Sequence, residues 1–158
     1  MTNWDAIGAI GEILGAGAVV LSLLYLAVQI RHTRKQSELE SLRDTWAKLN
    51  QLHDKLSESK EIASIVNRGR QSLDSLDGDE YLMFEHIHLR LLNTLESWYM
   101  QVTETSSPGN HIDAQMENIR GLVRRYLGFP GTRQLWSGLR PYFLPIQKVV
   151  DDTLDDSG

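Results

Sequence analysis

Between Ala6 and Ile30 the chain runs for 25 residues with a single ionisable group, Glu12. Coiled as a helix, that run is about 37 Å long, enough to cross a hydrocarbon core of roughly 30 Å. A buried globular helix and a secretory signal peptide are the competing assignments. A signal peptide opens with a basic region, yet the charge ahead of this run is Asp5, and the best small-x-small cleavage site, Leu26-Ala27-Val28, is poor. The expectation is a retained transmembrane helix. Residues 1–30 then form an extracytoplasmic N-terminus and span, and residues 31–158 a cytoplasmic domain. Arg31, His32, Arg34 and Lys35 crowd the C-terminal flank and no Lys or Arg precedes the run, which orients the larger part inward. Trp4 is placed to anchor the outer interface.

A carboxylate inside such a run calls for a physical account. With the span centred near Ala18, Glu12 lies about 9 Å from the midplane, and its side chain tilts toward the N-terminal boundary. It also sits near the positive end of the helix dipole. Written in heptads, one seam reads Gly8, Gly11, Gly15, Ala18, Ser22, Tyr25 and Gln29, almost all small or polar, with Glu12 at its edge. Ile10, Leu14, Val20, Leu21, Leu24 and Val28 face elsewhere and suit lipid. Small residues let membrane helices approach closely, and Gly11-x-x-x-Gly15 lies within the seam. The pattern predicts helix–helix packing, first of all with another copy of the chain.

The run GEILGAGAVVLSLLYLAVQIRHTRKQ, residues 11–36, resembles the opening of a large group of short bacterial single-pass membrane proteins. Glu96-Ser97-Trp98-Tyr99 and the segment from Phe129 to Trp136 resemble that group more loosely. The resemblance implies architecture and a bacterial inner membrane, and it implies that Glu12, Tyr25, Gln29 and Arg31 belong to a shared pattern. It carries no activity with it.

Past the span the periodicity stays helical. Leu39, Leu42, Trp46, Leu49, Leu52 and Leu56 recur at three- and four-residue spacing, so the first helix is expected to run from about Trp4 to Ser57. Further helices are expected over 59–71, 78–105, 112–127 and 131–155. Asp77 serves as an N-cap to the third of the five, Ser106-Ser107-Pro108-Gly109 and Gly128-Phe129-Pro130-Gly131 act as breaks, and Pro141 and Pro145 kink or split the last. Phe84, Ile87, Leu91, Leu95, Trp98 and Val102 form the strongest stripe and mark the central core helix. The fold class is all-α: an N-terminal transmembrane helix continuing into a helical bundle.

Chemistry is sparsely written. The chain has no cysteine, which removes disulfides, thiolate metal sites and thiol catalysis. It carries 16 Lys and Arg against 21 Asp and Glu, and setting aside Asp5 and Glu12 leaves 19 acids in residues 31–158 against the same 16 bases. That balance speaks against nucleic acid as a partner. No phosphate loop, dinucleotide fingerprint, nucleophile elbow, zincin or EF-hand motif occurs, and no cofactor is expected. Glu85 and His88, one helical turn apart, are weak metal candidates because a single Glu-x-x-His lacks the further ligands a bundle site needs. As surface polar residues they need no special role. His53 reads as a bundle histidine bonded to a neighbouring acid, Glu96 as a partner for Arg120 or Arg124, and the terminal aspartates from Asp151 as a solvated end. Arg31, Arg34 and Lys35 are placed to meet lipid headgroups. The resulting expectation is a non-enzymatic membrane protein that self-associates as a scaffold or serves as an accessory subunit beside other membrane proteins. An oligomeric ion-transport component with Glu12 lining a pore is the alternative, and a metal-dependent enzyme built on Glu85 and His88 a weaker one.

Overall fold

In the computed structural model the backbone is described for residues 4–105 and 111–156. The side chains of residues 4–10, 13, 34, 35, 38, 41, 105 and 111 lie outside the description. The side chains of Trp4, Gly8, Arg34 and Lys35 therefore lie outside the described residues, as does the expected break at Ser106–Gly109. The described chain is all-α. Its order is α1 (Trp4–Glu58), α2 (Lys60–Gln71), a 3-10 turn (Leu73–Ser75), α3 (Gly78–Thr105), α4 (His111–Leu127), α5 (Pro130–Leu139), a second 3-10 turn (Arg140–Tyr142) and α6 (Leu144–Asp155). It divides into two units, residues 1–41 and residues 42–158.

The first unit is the leading part of α1. Its Leu14–Thr33 stretch has a mean hydropathy of 1.7, and none of it is buried within the chain. Ser22 and Thr33 donate their hydroxyls to the carbonyls of Ala18 and Gln29, one turn earlier, at 2.9 and 3.0 Å. Both hydroxyl protons are thus satisfied within the helix itself.

The second unit is a helical bundle with one continuous core. The end of α1 supplies Leu49 and Leu52, and α3 supplies Phe84, Leu91, Leu92, Leu95, Trp98 and Val102. Burying each of these large side chains contributes about 1.5–3 kcal/mol. Helix α3 packs on α2, α4 and α6, while α4 also meets α6 and α2 meets α5. Trp98 is fully buried, donates its indole N–H to Gln115 Oε1 at 2.8 Å, and meets the half-exposed Trp46 edge-on at 5.5 Å. Leu82, near the start of α3, is 52% exposed.

The helix boundaries have local causes. Ser59 caps α2 by accepting the Ile62 N–H. Asp77 and Glu80 form a reciprocal cap at the start of α3: Asp77 Oδ1 accepts from the Glu80 N–H at 2.9 Å, and Glu80 Oε2 accepts from the Asp77 N–H at 3.2 Å. Pro130 stands in the first turn of α5, where its missing N–H costs nothing. Beside it the Thr132 hydroxyl accepts the Phe129 N–H at 3.2 Å. Gly131 then lets α5 press onto α2, since a Cβ there would collide with the carbonyl of Gly69. Gly69 in turn lies under the Phe84 ring, whose nearest carbon would stand 2.6 Å from a Cβ. The expected 131–155 helix is split at its prolines, each of which opens a new helical turn.

Asp152, Asp155 and Asp156 are exposed, as a solvated end requires, and Asp151 alone of the terminal aspartates departs from that reading. It accepts from Trp136 Nε1 at 2.9 Å and from Arg140 Nη2 at 2.7 Å, tying α6 back to α5. Thr153 and Leu154 behind it are buried, so α6 is a core helix to its last turn.

Candidate functional site

Two places hold the residues singled out in the sequence. In the first unit, Gly11, Glu12, Gly15, Ala18, Ser22, Tyr25 and Gln29 are all exposed, and nothing lies within 4 Å of where a Cβ would stand at Gly11 or Gly15. The exposure is not confined to the small and polar seam. Leu14, Leu21, Leu23 and Tyr25 are each at least 60% exposed, so the stretch is uncovered on every side. Arg31 is exposed beyond it.

In the second unit the polar residues of α1, α2, α3 and α4 converge. His53 Nε2 and the Tyr126 hydroxyl share a short hydrogen bond, and the two rings are stacked with centroids 6.0 Å apart. The partner of His53 is therefore a phenol from α4, not the acid expected. The Arg70 guanidinium lies over the rings of Tyr126 and Phe129, at 5.7 and 5.1 Å from their centroids, and Arg125 lies 5.9 Å from the Tyr126 ring. Burial holds Arg70 below the usual range of a guanidinium, and the charge of Arg125 acts in the same direction.

His88 is buried, which corrects its assignment to the helix surface. It is 2% exposed, its Nδ1–H donates to the Phe84 carbonyl at 2.8 Å, and its ring stands 4.2 Å from the Phe84 ring. Removal from water is the main cause that brings its pKa down to about 4, so it is a neutral imidazole at neutral pH. The Arg70 charge adds to that depression. Among the described residues no three potential ligands come together to hold a metal, and Glu85 and His88 have no third partner. Glu96 makes no ion pair among the described residues. Arg120 and Arg124 both turn instead to Glu117 on their own helix, where the spacing brings the charges together without crossing the bundle.

Arg70 was not singled out in the sequence. The signal was present in the spacing: Ile62, Val66 and Arg70 follow one another at four-residue intervals, so the cation continues an apolar stripe. His88 was equally legible, since Phe84, His88, Leu91, Leu95, Trp98 and Val102 form a stricter alternation of four and three than the one running through Ile87. Comparisons with protein-family models, with curated proteins and with solved structures find no match to this chain.

Proposed function

We propose that the chain is a single-pass membrane protein of a bacterial inner membrane, non-enzymatic, which self-associates through its span. It acts there as a scaffold or accessory subunit, with residues 31–158 on the cytoplasmic side. The observation that carries this reading is the Leu14–Thr33 stretch, apolar and wholly unburied, whereas the buried apolar side chains of residues 42–158 gather into one core. An uncovered apolar surface of this extent is costly in water and favourable in lipid. The internally bonded hydroxyls of Ser22 and Thr33 fit the same solvent. Helix α1 continues without a break to Glu58, which favours a retained anchor over a removable leader. The small and polar seam from Gly11 to Gln29, with Glu12 at its edge, supports packing against a second copy.

Two measurements test the reading together. The full chain is expected in the membrane fraction after alkaline extraction, and release into the soluble fraction would overturn the anchor. A two-hybrid assay of residues 1–35 is expected to report association that Gly11→Leu and Gly15→Leu each reduce severalfold. Association indifferent to both changes would dispose of the seam.

A further inference from the structure

Among the described residues Arg70 is a half-buried cation without a counter-ion. Its Nε–H is closed off from solvent and has no hydrogen-bond partner, and among the described residues no carboxylate pairs with it. Its neighbours worsen its position. Arg125 approaches the same Tyr126 ring, and Phe129 is the N-cap residue of α5, so the guanidinium lies beside the positive end of that helix. The two aromatic faces recover part of the cost, since a guanidinium over a ring is attracted to it. They do not satisfy the Nε–H. A buried charge is ordinarily paired and hydrogen-bonded, and a donor left unmade is costly.

The remaining chemistry is specific. Guanidinium groups present a planar fork of donors that suits phosphate oxygens, and a phosphate monoester carries close to two negative charges at neutral pH. Arg70 and Arg125 supply two positive charges, and the Tyr126 hydroxyl, already bonded to His53, fixes the ring that both approach. Arg68, one residue before Gly69, is by contrast fully engaged with Glu80 and the Ser75 carbonyl. Of the two arginines of α2, Arg70 is therefore the unpaired one among the described residues.

We infer that Arg70, with Arg125 and the Tyr126 and Phe129 rings around it, forms a binding site for a phosphate-monoester group. The group comes either from a soluble phosphorylated molecule or from a phosphomonoester lipid headgroup. The site stands independently of the membrane reading, because every residue in it belongs to residues 42–158.

The test uses the full chain in nanodiscs of phosphatidylcholine and follows the unfolding midpoint of the bundle. Glycerol phosphate is titrated in one arm, and phosphatidic acid is added to the discs in another. A saturable rise in midpoint is expected in at least one arm. A rise with glycerol phosphate assigns a soluble ligand, and a rise with phosphatidic acid alone assigns the headgroup. Arg70→Met is expected to weaken the response by about tenfold or more, Arg70→Lys to weaken it less because the charge remains without the fork, and Arg125→Met to weaken it severalfold. Arg70→Lys carries the test should Arg70→Met not fold. Responses unchanged by the Arg70 substitutions, an equal rise with acetate at matched ionic strength, or no rise in either arm would overturn the site.

Discussion

The buried His88 makes the stability of the bundle depend on pH in a defined window. An imidazole with an ordinary pKa of 6.5 in the unfolded chain is held to about 4 in the fold, chiefly by removal from water. The unfolded state therefore binds its proton first. Above pH 6.5 neither state is protonated and the histidine has no pH-dependent effect. Between 6.5 and about 4 the unfolded chain gains a proton the folded one refuses, and stability falls. Below about 4 both are charged and the loss levels off. At roughly 1.4 kcal/mol for each pH unit of that interval, the loss is on the order of 3 kcal/mol. The decisive measurement compares unfolding free energies of the full chain and of His88→Leu at pH 7.5 and pH 4.5, followed by tryptophan fluorescence. Acidic groups elsewhere contribute to both proteins, so the difference of differences isolates His88. His88→Leu is expected to lose most of the acid sensitivity seen in the parent over this window. Equal slopes in the two proteins, or an NMR titration of His88 with a midpoint near 6.5, would refute the reasoning.

Two further outcomes follow from the packing. Gly131→Ala drives a methyl into the Gly69 carbonyl, so α2 and α5 must separate, and the bundle is expected to lose about 1–3 kcal/mol, read as a lower thermal midpoint. Glu80 is held below the usual carboxylate range, first by its hydrogen bond from Arg68 and then by the Asp77 N–H. Its contribution is present above the ordinary carboxylate pKa and is lost as pH falls toward the lower folded value. Arg68→Gln is expected to move the Glu80 titration upward, measurable by carboxyl-carbon NMR.

The helical order and most of the core were legible from periodicity because an amphipathic helix must repeat its apolar face every three to four residues. Phe84, Leu91, Leu95, Trp98 and Val102 on α3, and Leu49 and Leu52 on α1, lie buried where that repeat puts them. What the repeat concealed was the polar residues inside it. His88 and Arg70 occupy positions of the buried stripes, yet a titratable or charged side chain reads as surface unless its spacing is given priority over its chemistry. The pairing of helices α2 and α5 at Gly69 and Gly131 was hidden for another reason. A close crossing depends on the absence of two Cβ atoms distant in sequence, and neither glycine announces its partner. His53 similarly pairs with a phenol on α4, a partner that spacing along α1 does not indicate.

The α2–α5 crossing bears on the order in which the molecule is made. Synthesis runs from the N-terminus, so the Gly69 carbonyl and the apolar side chains of α2 emerge well before the helix that seats on them. Helices α3 and α4 must be produced first, and only when Pro130–Leu139 has cleared the ribosome can Gly131 close the contact. Until then a nascent bundle carries an open seam along α2, at a stage when the apolar stretch of α1 has long emerged. In that interval the face of α2 at Gly69 is without its α5 cover.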